Sequence, residues 1–416
     1  MATCHLTNIE LRHQGIGPAT PEDQKNSKDY ADVSPSLSSS TIKATFTGSG
    51  QEYFRIWVVN LLLSLVTLGI YSAWATVRNR RYLYGNVVLD GNQFDFHGNP
   101  LAILKGRVIA VVVFAAYAFG GDFHFAIPIV ALFLMLVAFP WVLVSALRFR
   151  LSNTSWKSLR FGFSATTRQA YLALGTPVFI IALAYSAIFA VGYFQGENLG
   201  PDQSGLLVFS IVVVIVFFLL SIWLVPVFNY RLRNLIMNHI HLGDHPFTAN
   251  LNKSLFFSAF LKTIALSIAT FIAAGVVIFA LAFVITPIFS AFDQTTALYL
   301  TIAITYVIFI LIYLFPFSFW QVITENHVVS STKVENANFN MNMNVSSYWI
   351  LLVGNAVLAV CTLGLAIPWT RVRMIRYKLS CFSIDGDFER FTGSSRGNQS
   401  ATGDELEEAF DIDFGF

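Results

Sequence analysis

With 416 residues, 55% hydrophobic side chains, 12% charged ones and a mean hydropathy of +0.61, the chain carries more apolar surface than a water-soluble core can hide, and it belongs in a bilayer. The formal charge of +2 is small, so the placement of charge matters more than its sum, and no nucleic-acid partner is implied. Three cysteines, Cys4, Cys361 and Cys381, make no disulfide framework and fit a reducing compartment around the loops.

In chain order, residues 1–44 are rich in Ser, Thr, Asn and Asp and lack an apolar run, so they read as a disordered cytoplasmic tail. Cys4, His5 and His13 lack a scaffold that would fix a metal geometry there. Residues 45–389 form a polytopic membrane domain. About 20 apolar residues cross the hydrocarbon layer, and six segments qualify: about 104–119, 124–146, 170–194, 205–228, 256–288 and 297–320. Two more apolar runs, 54–75 and 348–369, flank these six. Residues 390–416 hold Asp404, Glu405, Glu407, Glu408, Asp411 and Asp413 and read as a disordered acidic cytoplasmic tail, with docking onto a basic partner as a second reading.

The two flanking runs are related to each other. At an offset of 295, residues 60–91 match residues 355–386 at 12 of 32 positions, among them Asn60/Asn355, Thr67/Thr362, Gly69/Gly364, Trp74/Trp369, Arg78/Arg373, Arg81/Arg376 and Asp90/Asp385. Chance would give roughly three, so an internal repeat of paired terminal units, 45–100 and 340–389, is expected. The basic connectors share a second pattern, Arg81…Asn86…Phe94, Phe96 and Arg148…Asn153…Phe161, Phe163, at an offset of 67. With Asp90-Gly91 and Asp385-Gly386 as tight turns, these pieces predict small cytoplasmic β-hairpins.

The stretch Phe46-Thr-Gly48-Ser-Gly50-Gln-Glu52-Tyr53-Phe54, the segment Asn60–Tyr82 and then Leu89-Asp90-Gly91-Asn-Gln-Phe94 resemble the YjgN-like family of bacterial inner-membrane proteins. The resemblance covers about residues 45–390 and implies a multi-pass fold in the inner membrane. It brings no established activity and no catalytic residues.

Charge sorts the connectors. Those around Gly120–His124, Gln195–Ser204 and Ser290–Ala297 contain no Lys or Arg and are expected in the periplasm, while the alternate connectors hold the basic residues and are expected in the cytoplasm. If 54–75 and 348–369 re-enter and turn near Thr67-Leu-Gly69 and Thr362-Leu-Gly364, every Lys and Arg lands inside and both termini are cytoplasmic. Read as full crossings, the same runs give eight spans. The expected class is therefore an all-α polytopic membrane protein, with six full spans plus two re-entrant or additional spanning helices, small cytoplasmic β-hairpins and internal repeats.

Several residues stand out. Asn60 and Asn355 are the most pointed polar residues of the apolar runs, and they read either as inter-helix hydrogen bonds or, with Thr67, Gly69, Thr362 and Gly364, as the lining of a solute path. They are also placed to satisfy backbone groups freed at the turns. Arg78, Arg81, Arg373 and Arg376 follow Trp74 and Trp369 at headgroup level, which fits plain anchoring or recognition of an anionic lipid. Lys105, Arg107 and Lys262 read as snorkelling anchors. His239, His241 and His245 have a spacing that a zinc site can use on a strand, though no cysteine pair supports one. The spans lack ionisable groups at their centres, and no nucleophile elbow, phosphate loop or HExxH pattern occurs, so neither a charge-coupled pump nor an enzyme is expected. No cofactor is expected. The functional expectation is a transporter or channel-like conduit for a small or amphipathic solute. The alternative is a lipid-binding or scaffold protein whose β-hairpins recruit partners. Membrane lipids are the expected partners, with self-association left open.

Overall fold

The computed structural model describes residues 41–124, 126–181, 204–289 and 293–386. Most of the first expected tail, all of the last one, and the expected span 170–194 beyond residue 181 lie outside the described residues. Thr41–Ala44, expected in the first tail, open a strand instead.

Strand β1 (Thr41–Phe46) leads into α1 (Gly50–Val66) and α2 (Ser72–Gly85), then the hairpin β2 (Val87–Leu89) and β3 (Asn92–Phe96). Helices α3 (Pro100–Phe119) and α4 (Ala126–Ser152) lead to β4 (Thr154–Trp156) and β5 (Leu159–Phe163). Helix α5, described over 167–181, and α6 (Ser204–Met237) lead to β6 (Ile240–Leu242) and β7 (His245–Ala249). Helices α7 (Lys253–Phe289) and α8 (Gln294–Ser330) precede β8 (Thr332–Val334) and β9 (Ala337–Met341). Last come α9 (Val345–Cys361), α10 (Ile367–Ser380) and β10 (Phe382–Asp385).

The strands close into one antiparallel barrel of ten. This overturns the all-α class: the helical membrane part stands on a complete β-barrel, not on isolated hairpins. The expected turn at Asp90-Gly91 exists, with both residues at positive φ (51° and 70°), the geometry that a two-residue hairpin wants. The expected hairpin at Asp385-Gly386 does not form locally, because β10 pairs with β1 from the other end of the chain. Each strand is only three to six residues long, too short to stand alone, and closure leaves no free edge.

The register repeats around the ring. Where neighbouring hairpins meet, the pairs are Ala44↔Leu89, Phe94↔Trp156, Phe161↔Leu242, Phe247↔Val334 and Phe339↔Ile384. All ten residues belong to or pack on one apolar cluster that fills the barrel. Four of the pairs place a phenylalanine inward, and the rings form a continuous ladder with centroid separations of 6.1, 6.5, 5.6 and 5.9 Å from Phe94 through Phe161, Phe247 and Phe339 to Phe382. The barrel is a packed plug.

In an antiparallel ring built from hairpins, all tight turns lie at one end and all helices leave from the other. The helices pack in chain order, with α10 closing onto α1. Five described stretches are long and apolar enough to cross a membrane, Pro100–Asp122, Ala126–Ser152, Ile211–Met237, Lys253–Ala280 and Thr295–Ser330. Pro140, Pro226 and Pro316 interrupt the backbone ladders of α4, α6 and α8.

If the plug holds the ring together, Phe339→Ala should cost about 3 kcal/mol or more, the usual penalty for emptying a core aromatic site. Lys43→Ala, on the exposed face of the same barrel, should change stability by less than about 0.5 kcal/mol. Thermal unfolding of the detergent-purified protein compares the two.

Candidate functional site

The two short helical pairs, α1/α2 and α9/α10, have the same turn. Leu68 and Gly69 sit at φ 51° and 90°, Leu363 and Gly364 at 52° and 88°. The glycine amides reach back to Ser64 O and Ala359 O, both at 2.7 Å. The Thr67 and Thr362 hydroxyls donate to Leu63 O and Leu358 O (2.7 Å each) and accept from the Tyr71 and Ala366 amides (2.9 Å each). The backbone of each turn is thereby largely satisfied from within, which an apolar medium demands. Leu68 and Leu363 cap the turns at 94% exposure, with Leu65, Val66, Ile70, Val360, Leu365 and Ile367 exposed around them.

The expected polar residues therefore divide by task. Thr67, Gly69, Thr362 and Gly364 build the turns. Asn60 and Asn355 satisfy no turn backbone and tie arm to arm instead: Asn60 Nδ2 donates to Asn79 Oδ1 at 3.0 Å, and Asn355 Nδ2 to Thr370 O at 3.4 Å. Their Oδ1 atoms are buried without a hydrogen-bond partner. Arg107, expected to snorkel, turns its guanidinium to the Ser72 and Thr76 hydroxyls of α2.

The arginines also divide. Arg376 Nη2 donates to Gly48 O at 2.7 Å, a bond between the two ends of the chain, and Arg81 Nε reaches Phe96 O at 3.5 Å. Arg148 and Asn326, at the same register position in α4 and α8, donate in the same way to Ala165 O (3.0 Å) and Met343 O (2.9 Å). These side chains clamp the link between strand and outgoing helix. Arg78 and Arg373 are exposed at the helix surface. Beside them Tyr82 Oη accepts from the Ser49 amide at 3.0 Å and bonds to Ser49 O and Glu52, and Tyr377 makes the matching pair with Asn344. Burial, then the Glu52 carboxylate, raises the Tyr82 pKa above its ordinary value.

One group escaped the sequence reading. Glu325 of α8, 7% exposed, lies 3.3 Å from Arg233 Nη2 of α6 and 3.5 Å from Lys378 Nζ of α10. A neighbouring seam is closed by Arg150 Nε of α4 on Tyr84 Oη of α2 at 2.8 Å. These groups sit in the last turns of the helices that enter the barrel, directly above its apolar plug. A signal existed: Glu325 is the single carboxylate between Asp293 and Glu335. It lies just past an expected span end, where a polar residue attracts no notice.

The histidines do not converge. His239 Nδ1 contacts Leu235 O at 2.8 Å, His241 lies over Gly162, and His245 pairs with Glu335. Among the described residues no three metal-binding side chains come together.

The family described as "Bacterial protein of unknown function (DUF898)" matches residues 41–409. "Inner membrane protein YjgN" of Salmonella typhimurium is 25% identical over 366 residues, covering 83% of this chain and 88% of its own. The protein of the same description from Escherichia coli K12 is 24% identical over 374 residues, with the same coverage. No solved structure matches the chain.

The division among the arginines is testable. Arg376→Gln should lower stability by about 1 kcal/mol, the size of a partly solvated hydrogen bond, by weakening the join between chain ends. Arg78→Gln, on the exposed surface, should leave it within about 0.5 kcal/mol. Thermal shift on the two variants side by side reads the difference.

Proposed function

Because the chain belongs to the DUF898 family of bacterial proteins of unknown function, we propose from its geometry that it is a multi-pass inner-membrane conduit for a small solute, closed on the cytoplasmic side by the barrel plug. The observation that carries this reading is the Arg233–Glu325–Lys378 cluster around the buried Glu325 carboxylate, which joins three helices of a ring that stands on the barrel mouth. Buried charge in a membrane protein is retained where a polar species is handled.

The same reading places the barrel, and with it both ends of the membrane domain, in the cytoplasm, because basic residues gather at the barrel end and the connector Gly120–Asp122 has none. The short pairs α1/α2 and α9/α10 are re-entrant, and as an internal repeat they flank the seam where the chain closes. Support comes from connectivity: each pair starts and ends at the barrel, so neither makes a one-way crossing. A second reading, lipid binding, is favoured by exposed Arg78 and Arg373 at matching positions beneath the apolar turns.

Flux of neutral and anionic solutes into proteoliposomes, beside native mass spectrometry of retained lipid, separates the two readings. The conduit reading expects flux that rises when Phe161→Ala and Phe247→Ala thin the plug. Absence of flux, together with loss of phosphatidylglycerol in Arg78→Gln/Arg373→Gln, would establish the lipid reading in its place. For topology, Asp122→Cys should react with an impermeant reagent on intact spheroplasts, and Gln93→Cys and Leu68→Cys should stay protected. Labelling of Leu68→Cys would mean that the turn reaches the far side.

A further inference from the structure

We propose that His327 is a proton-operated latch between the barrel end of α8 and the start of α7, closed when its ring is neutral and released when the ring is protonated. The link from β7 to α7 is held from two sides. Asn238, just past the end of α6, accepts from the Ala249 amide at 2.9 Å and donates to Ala249 O at 3.1 Å. Three residues further on, His327 of α8 takes the Asn252 amide on Nε2 at 2.9 Å. Asn252 caps α7, because its Oδ1 accepts from the Ser254 amide at 3.0 Å and from the Ser254 hydroxyl at 2.8 Å. A hold on Asn252 is therefore a hold on the first turn of that helix. The His327 ring also stands nearly perpendicular to that of Phe256, centroids 6.0 Å apart, and Phe256 is buried with Leu251 and Val328.

The bond fixes the charge state of the ring. A backbone amide can only donate, so Nε2 must keep its lone pair, and the one ring proton belongs on Nδ1, which faces the Ser331 hydroxyl at 3.3 Å. A second proton, on Nε2, sets donor against donor, and the contact is lost. The corresponding links are held differently: Arg148 on Ala165 O, Asn326 on Met343 O and Arg376 on Gly48 O use groups that keep one charge state across the physiological range. Of these four side chains, His327 is the one that titrates there. Its surroundings supply no carboxylate to hold an imidazolium in place. Glu325 of α8 turns to Arg233 of α6 and Lys378 of α10, and α7 carries Lys253, set over the Phe257 ring, and Lys262. The next strand, β8, carries the exposed Lys333, and β9 and the link itself carry no ionisable side chain. Behind Phe256 stands Tyr230 of α6. The latch is therefore complete above the ordinary histidine value of about 6.5 and weakens as the pH falls through it. Release frees the foot of α7 from α8, while Asn238 keeps it on the barrel.

The test is hydrogen exchange read by mass spectrometry on the full chain in phosphatidylcholine nanodiscs, at about pH 7.5 and about pH 5.5, on either side of the ordinary histidine value. Each rate is divided by the intrinsic amide rate at that pH. Protection of residues 250–256 should fall about fivefold at the lower pH, the size of one net hydrogen bond. The Met343 amide, bonded at 3.0 Å to Oδ1 of Asn326 beside His327, is the internal control and should keep its protection. His327→Gln, whose side-chain oxygen can still accept, should keep the segment protected and make it indifferent to pH. His327→Ala should leave the segment as open at the higher pH as wild type is at the lower one. If His327→Ala does not fold, wild type and His327→Gln decide the matter between them. Equal wild-type protection at both pH values, an unchanged pH response in His327→Gln, or an equal loss at Met343 overturns the latch. The latch is independent of what the chain carries, so its failure leaves the conduit and lipid readings to their own experiments.

Discussion

Ring closure by the first and last strands is the constraint on which the rest of the molecule depends. Five hairpins of three- to six-residue strands have little stability apart, and four of them in a row would still leave two open edges. The fifth hairpin is assembled from β10 and β1, whose paired residues Thr41 and Asp385 lie 344 positions apart and share a 2.7 Å hydrogen bond. Arg376 on Gly48 O strengthens this seam, and so does Trp369 against Phe54, with ring centroids 4.8 Å apart. Gly50 must be glycine here, since a Cβ would stand 2.4 Å from the Trp369 ring. Every helix takes its position and direction from a strand end, so closing the barrel also closes the ring of helices above it.

Much of this was legible in local sequence and the decisive part was not. Apolar runs gave the long helices because about 20 consecutive residues carry a strong signal. The Arg81-to-Phe96 and Arg148-to-Phe163 pieces announced hairpins through turn chemistry and alternating aromatics. A three-residue strand such as Thr332-Lys-Val334 has no periodicity to detect, and a pairing across 344 residues has no local trace at all. The all-α expectation followed from counting residues when the few residues in strands decide the architecture. Asp385-Gly386 misled for a related reason: the dipeptide has turn chemistry, but its strand finds its partner at the other end of the chain.

At the candidate site, residue type was legible and role was not. Arg376 follows the same rule as Arg148 and Asn326, which is to hold the loop that leaves their own hairpin, and Arg81 reaches the last strand residue before that loop. That rule lies in register, and sequence spacing shows it only once the hairpins have been aligned. Glu325 stayed hidden because burial comes from three helices that are remote in sequence, and no one of them marks it. The turn threonines show the reverse. Thr67 and Thr362 match in sequence, and their hydroxyl bonds match to within the quoted tenth of an ångström.

Helix lengths measured from the barrel join these observations. At 1.5 Å per residue the 37-residue α7 and α8 rise about 55 Å, the 20-residue α3 about 30 Å, and the 17-residue α1 and α9 about 25 Å. Glu325 is five residues from the barrel end of α8, so the charged cluster occupies roughly the first 8 Å of that rise. Subtracting this polar neck leaves α1 and α9 about 17 Å of apolar arm, a little over half of a hydrocarbon layer of about 30 Å. If the pairs re-enter as proposed, Leu68 and Leu363 meet acyl chains at a depth where an open backbone group would cost several kcal/mol. That cost gives a reason for the threonine of each turn to be bonded on both sides. The same arithmetic keeps Glu325 out of the hydrocarbon. A chain with uncharged span centres can therefore still place an ion cluster between its apolar helices and its barrel.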